Sequence, residues 1–60
     1  MILGDLLKVI DNVMYNVVIY KDTETIDTRK FSELMKNFDN VVDNVSANSY
    51  GQLIITTHEE

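Results

Sequence analysis

Apolar residues near the beginning of the chain recur at spacings of three and four positions. The residues with this spacing are Leu3, Leu6, Leu7, Ile10 and Val13. Such spacing places the side chains on one face of an amphipathic helix. Asn12 is the predicted stop, because asparagine tolerates the left-handed conformation that often ends a helix. We therefore predict a first helix over residues 2–11.

The next apolar segment is a continuous run and does not repeat at helical spacing. The run Val17–Tyr20 consists of β-branched and aromatic residues, which favour strands. Successive side chains of a strand point to opposite faces. The two predicted faces are Tyr15, Val17 and Ile19 on one side and Asn16, Val18 and Tyr20 on the other. We expect the Asn16 face to be the solvated or edge-facing one, and we predict a strand over residues 15–21.

A helix-start signal follows the polar, turn-like segment Asp22-Thr23-Glu24-Thr25. Asp27 is the predicted N-cap, with Thr28 as the alternative. Ile26 is expected to pack on Phe31 as a hydrophobic staple. The pattern predicts a second helix over residues 28–38, with a buried stripe made of Phe31, Leu34, Met35 and Phe38.

Two further strands are predicted in the second half of the chain. Residues 41–47 alternate in polarity, and residues 53–57 form another run that favours a strand. The four residues Asn48-Ser49-Tyr50-Gly51 between them fit the loop of a β-hairpin. A short strand over residues 23–26, in a hairpin around Asp22, is an alternative that the pattern leaves open.

These elements predict a single α+β domain over residues 1–60, with the element order α-β-α-β-β. We expect a three-stranded, mainly antiparallel sheet with two helices packed on one face, because each element has one apolar side to bury. The composition, 45% hydrophobic and 25% charged, is that of a globular protein and not of a disordered one.

The residue types present restrict how so short a chain can be stabilised. Small domains commonly rely on disulfides, metals or association. The sequence has no cysteine and a single histidine, so we expect no disulfide, no metal site and no cofactor. Two ways to stability remain, association into a homodimer or well-patterned packing alone, and we expect the homodimer. No apolar run approaches the roughly 20 residues of a membrane span, and residues 1–5 lack the basic start of a signal peptide. We therefore expect a cytoplasmic protein that does not contact a membrane.

Candidate catalytic groups are few. His58 stands near the carboxyl end, where chains usually fray, so we expect it to extend into solvent without an orienting partner. The serines lack a triad pattern, and no glycine-rich phosphate loop is present. Asp22, Glu24 and Asp27 lack the glycine and the bidentate glutamate of a calcium loop. The sequence therefore predicts a protein that is not an enzyme.

The net charge of −5 points to the kind of partner. An acidic chain repels phosphate backbones, so we expect no direct nucleic-acid binding and an attraction to basic protein surfaces. Three candidate surfaces follow. The first is an acidic rim that contains Asp22, Glu24, Asp27, Asp39 and Asp43. The second contains Tyr20 and Tyr50, because tyrosines are common interface anchors. The third is an open sheet edge that pairs with a second copy.

The layout resembles that of short acidic proteins of phage and prophage genomes. The resemblance lies in the helix Leu3-Gly4-Asp5-Leu6-Leu7 that leads into Tyr15–Tyr20, in the Phe31–Leu34 helix, and in the hairpin that ends with Leu53-Ile54-Ile55. It covers most of the chain in size, layout and acidity. Some such proteins are anti-CRISPR inhibitors, so the resemblance implies a stoichiometric inhibitor of a host protein. The alternative function is a self-associating structural or assembly module of a phage or low-GC bacterium.

Overall fold

A four-stranded sheet forms one layer of the protein, and short helices pack against one of its faces. The computed structural model describes residues 1–10 and 13–60. The elements in chain order are α1 Leu3–Leu7, α2 Val13–Asn16, β1 Val17–Lys21, β2 Glu24–Ile26, α3 Phe31–Lys36, β3 Val41–Ala47 and β4 Leu53–His58. The predicted α+β class is confirmed, and α2 is a single helical turn.

The strand order in the sheet is β2-β1-β4-β3. The outer pairs β1–β2 and β3–β4 are antiparallel, whereas the central pair β1–β4 is parallel. The predicted three-stranded, mainly antiparallel sheet is therefore wrong, and the alternative strand within residues 23–26 is present as β2. The two central strands begin with apolar runs, Val17–Tyr20 in β1 and Leu53–Ile55 in β4. The two hairpins supply the edges.

The first helix and the first strand differ from their predicted bounds. α1 ends at Leu7, although the prediction extended to residue 11. The predicted stop at Asn12 lies outside the described residues. Tyr15 and Asn16 belong to α2, so the strand begins at Val17 and not at Tyr15. The reason is pairing: the ladder with β4 starts at Val17 opposite Leu53, and a strand is stable only while it has a neighbour.

The second predicted helix is shorter than expected, and neither cap candidate serves it. The carboxylate of Asp27 accepts the backbone N–H of Arg29 at 2.9 Å, which forms a local turn before the helix. Lys30 precedes α3 and makes no side-chain cap. Phe31 is 71% exposed, so the predicted staple with Ile26 is wrong. Met35 is also exposed.

The hydrophobic core lies between the sheet and the helices. Its buried members are Leu3, Val17, Ile19, Ile26 and Ile55. The partly buried residues around them include Leu6, Leu7, Ile10, Val13 and Leu34 from the helical side. Val17 and Ile19 thus face the core, and apolar residues of the helical segments pack against them. The other face of the sheet carries Val18, Tyr20, Ile54 and Thr56, which are half-exposed.

A chain of buried polar side chains joins α3 to the two central strands. Asn37 donates through Nδ2 to the backbone oxygen of Glu33 at 2.8 Å. Asn40 donates through Nδ2 to Oδ1 of Asn37 at 2.9 Å and to Oγ1 of Thr57 at 3.3 Å. Thr57 in turn donates to the backbone oxygen of Tyr20 at 2.8 Å. Because Asn40 is 3% exposed and Thr57 1%, these bonds are shielded from water.

The same segment also holds the amino-terminal helix in place. The backbone N–H of Leu3 donates to the oxygen of Asn40 at 2.8 Å, and that of Gly4 donates to the oxygen of Phe38 at 2.8 Å. A Cβ atom on residue 4 would lie only 3.2 Å from that Phe38 oxygen. Glycine therefore allows α1 to approach the end of α3 this closely.

We predict that Asn40→Ala destabilises the protein by about 2 kcal/mol, because it leaves a buried acceptor on Asn37 unpaired. The matched control is Asn44→Ala, an exposed asparagine of β3, which should change stability by less than about 0.5 kcal/mol. Urea unfolding followed by circular dichroism measures both. Equal midpoints for the two variants would contradict this role of the buried network.

The β1–β2 turn generates a second prediction. Asp22 has a φ of 55°, in the left-handed region that glycine adopts without steric cost. We expect Asp22→Gly to raise the free energy of unfolding, because glycine removes the steric cost of this φ. The gain should be only about 0.5 kcal/mol, since aspartate tolerates the left-handed region better than most residues. Thr23→Gly, at the adjacent turn position, should lower it. A lower urea midpoint for Asp22→Gly than for the parent would contradict the expected relief.

Candidate functional site

One end of the sheet collects most of the exposed carboxylates. Because β1 and β4 are parallel, Lys21 and Thr57 lie side by side at their carboxyl ends. Val41, the first residue of β3, pairs with His58 at this end. The β1–β2 turn, the segment before β3 and the last residues of the chain therefore meet here. We call this the acidic end, defined by Asp22, Glu24, Asp39, Asp43, Glu59 and Glu60.

A lysine neutralises part of this charge. Nζ of Lys21 lies 2.9 Å from Oε1 of Glu59. The hydrogen bond to Glu59 raises the pKa of Lys21, and the charge of the same carboxylate adds to the effect. Lys21 therefore stays charged and paired. The carboxylates of Asp22, Glu24 and Asp39 are exposed to solvent at the same end.

A β-bulge brings Asp43 and His58 together. The register of β3 against β4 shifts between Val42 and Asn44, and such a bulge redirects a side chain. Nδ1 of His58 lies 2.7 Å and 2.8 Å from the two carboxylate oxygens of Asp43. The expectation that His58 extends freely into solvent is wrong, because β4 includes it as its last residue. Extending the predicted hairpin register by one pair would have brought it opposite β3.

The acidic surroundings favour the protonated form of His58. Its pKa lies above the ordinary value of 6.5, chiefly because of the hydrogen bond to Asp43. The charges of Asp43, Asp22 and Glu60 raise it further. A histidine held by a carboxylate is one part of a hydrolytic triad, but the pair supplies no nucleophile. Within residues 1–10 and 13–60, no group of three side chains of the types that ligate metals lies close enough to hold an ion.

The remaining predicted site residues lie elsewhere. Tyr20 lies on the half-exposed face of the sheet, between Thr25 and Thr56 of the neighbouring strands. Asp27 follows β2 and lies at the opposite end from the acidic end. Its pKa is lowered, first by the backbone N–H of Arg29 and then by the charge of that residue. Asp22, Glu24, Asp39 and Asp43 are thus brought together, whereas Asp27 is separated from them.

Tyr50 is presented by an ordered loop between β3 and β4. Oδ1 of Asn48 accepts the backbone N–H groups of Tyr50 and Gln52 at 2.9 Å and 3.0 Å. Gly51 has a φ of 79°, which suits glycine. Tyr50 is 87% exposed, and it lies at the end opposite to the acidic end.

An open cavity of about 420 Å³ lies at this opposite end. Its walls come from the beginning of β1, from β2 and the turn after it, and from the residue before β4. They consist of Val17, Val18, Thr25, Ile26, Asp27, Thr28, Arg29 and Gln52. The cavity is shallow and mixed in polarity, so it does not enclose a small molecule in the way that ligand pockets usually do.

Three apolar side chains that the sequence pattern predicted to be buried are exposed on the surface. Phe31 and Met35 lie one helical turn apart on α3 and are both exposed. Tyr15, which the prediction placed on the inward face of β1, is exposed on α2. For Phe31 and Met35, the sequence signal was the asparagine Asn37 directly after α3. Asn37 competes with these two residues for the inward side of that helix.

Comparison with known proteins identifies no relative of this chain. No protein-family model matches this chain, and no curated protein or solved structure is significantly similar to it. Across the described part of the chain, no helix is both long enough and apolar enough to cross a membrane.

The pair between Asp43 and His58 predicts a pH dependence. Because folding raises the pKa of His58, the pair stabilises the protein fully below about pH 6.5 and loses this effect as the pH rises through the folded-state pKa. We expect an NMR titration of this single histidine to give a pKa above 6.5 in the parent and a lower one in Asp43→Asn. Asp5→Asn, on α1, is the control and should leave the titration unchanged. Identical titrations of Asp43→Asn and the parent would show that the pair does not form.

Proposed function

We propose that the protein is a small, non-enzymatic binding protein whose acidic end occupies a basic surface of another protein. The observation that supports this proposal is the convergence of carboxylates from separate parts of the chain at one end of the sheet. The β1–β2 turn, the segment before β3, the β3 bulge and the chain's last residues all contribute. Several acidic residues within one surface loop could be a coincidence of local sequence. Carboxylates that come from four separate segments are less easily explained by chance.

The geometry suits recognition by charge. Four strands set about 4.8 Å apart span roughly 15 Å, and carboxylates stand at the ends of that row. A row of this kind is similar in charge to a phosphate track, so it would compete for a basic groove that binds nucleic acid. Charges of this kind act over a Debye length of about 8 Å at physiological salt, which favours fast encounter with an oppositely charged partner.

The resemblance to short acidic phage proteins suggests where such a partner would be found. In this proposal the protein is encoded by a phage or prophage, acts in the bacterial cytoplasm and inhibits a host protein, as anti-CRISPR proteins do. The pair of Asp43 and His58 lies within the proposed surface, so binding should depend on the protonation of His58.

The proposal predicts that charge reversal at the acidic end removes binding. Glu24→Lys with Asp39→Lys changes the net charge from −5 to −1, because each exchange adds two charges. Both side chains are exposed, so the fold should be unaffected. Asp5→Lys with Glu33→Lys makes the same change in net charge on the helices, where each carboxylate makes only a weak ion pair with a lysine three residues later.

The measurement is capture from host lysate with three immobilised baits, followed by quantitative mass spectrometry. We expect a protein that the parent and the helix variant retain and that the acidic-end variant loses by about tenfold or more, as expected for loss of a steered, charge-based contact. Equal retention by all three baits at physiological salt would refute binding through the acidic end. Equal loss from both variants would show that net charge alone is responsible.

A further inference from the structure

The outer edge of β3 is free over most of its length. One side of β3 pairs with β4 from Val41 to Ala47. On the other side, Ile2 forms a bridge with Val41, and the backbone N–H of Val42 donates to the oxygen of Met1 at 2.9 Å. Among residues 1–10 and 13–60, none forms a strand ladder with the rest of this edge. Residues 43–47 are all exposed.

The hydrogen-bond pattern identifies the backbone groups that face outward. The N–H of Asn48 donates to the oxygen of Gln52 at 3.0 Å, which makes this a hydrogen-bonded pair of the antiparallel ladder. Such pairs alternate along a strand, so Ser46 and Asn44 also direct their backbone groups towards β4. Val45 and Ala47 therefore direct theirs to the free edge. The side chain of Val45 is 43% exposed beside them.

Residues 44–47 of this edge carry no charged side chain and no proline, and the β-bulge and the contact with Met1 and Ile2 lie at the other end of β3. Proteins protect edges with lysine, proline or inward-pointing charges. The sequence has no proline, and its fifteen charged residues all lie outside residues 44–57. In a chain with a net charge of −5, this uncharged hairpin is the part that a second copy can approach with the least repulsion.

We infer that β3 pairs antiparallel with β3 of a second copy, with Val45 opposite Ala47 and Ser46 on the two-fold axis. The outward backbone groups of Val45 and Ala47 then form four hydrogen bonds, and the sheet continues through both copies. Antiparallel pairing directs the two acidic ends away from each other, and each Asp43 lies opposite Ser49. The interface is small, so the dimer is weak, with a dissociation constant of about 10–1,000 µM. This inference does not depend on the proposed function.

A single introduced cysteine tests the register, because the protein has none of its own. In the inferred pair, the two residues at position 46 form a non-hydrogen-bonded pair with Cα atoms about 4.5 Å apart, which a disulfide can bridge. We expect Ser46→Cys to form a disulfide-linked dimer at least about tenfold faster than Thr25→Cys, since pairing raises the local thiol concentration. Thr25 is an exposed residue of β2, at the other edge of the sheet.

Sedimentation velocity of the unlinked, tag-free protein provides the second measurement. The parent should shift from monomer to dimer as its concentration approaches about 1 mM. Val45→Lys should weaken the dimer about tenfold or more, because it places like charges close together across the pair. Mixing Val45→Lys with Ala47→Glu should restore association, since the new lysine then lies opposite the new glutamate. That rescue also shows that both variants are folded.

Two results would overturn the inference. A parent that remains monomeric throughout the concentration series excludes the dimer. Equal cross-linking rates for Ser46→Cys and Thr25→Cys, or association that Val45→Lys leaves unchanged, would show that copies meet at another surface. The residues altered here lie outside the acidic end, so loss of lysate binding in the charge-reversal variant and loss of the dimer in Val45→Lys are separate outcomes.

Discussion

The buried hydrogen bonds of Asn37, Asn40 and Thr57 hold the layers of this protein together. Among the described residues, five apolar residues are buried. A core this thin would position a short helix loosely through apolar contacts alone. The two asparagines fix the end of α3 over the central strands, and the backbone oxygens of Asn40 and Phe38 hold α1 beside it. Leaving a buried polar group without its partner costs more free energy than the hydrogen bond contributes when it forms. This network therefore disfavours other positions of α1 and α3 over the sheet.

The same constraint explains the exposed apolar residues of α3. Asn37 occupies the inward side of the helix with Leu34, and this rotates Phe31 and Met35 towards solvent. A helix with an apolar stripe and a competing polar residue cannot bury both when it has fewer than two turns. The inward position of Asn37 gives the buried amide of Asn40 its partner, and loss of that partner would cost more than the exposure of a methionine or phenylalanine.

Much of the fold follows from local patterns, and the rest depends on long-range pairing. The β-branched and aromatic run Val17–Tyr20 and the alternation of residues 41–47 predicted strands that the structure contains, and Asn48–Gly51 predicted the turn between β3 and β4. The parallel pairing of β1 with β4 joins residues 36 positions apart, and no local pattern reports it. The convergence of Asp22 with Asp43 depends on that pairing, so the rim proposed from the sequence also included Asp27, which lies at the opposite end of the sheet. Asparagine is usually exposed, so nothing local to Asn37 and Asn40 predicts that both are buried.

The antiparallel bridge between Ile2 and Val41 has a practical consequence for how the protein is handled. Its direction leads a polypeptide joined in front of Met1 alongside residues 43–47, in the position of a fifth strand. An amino-terminal affinity tag would therefore occupy the unpaired backbone of β3 from within the same molecule. A carboxyl-terminal tag would instead extend from Glu60, among the carboxylates. The choice of tag position determines which of the two surfaces is left in its native state.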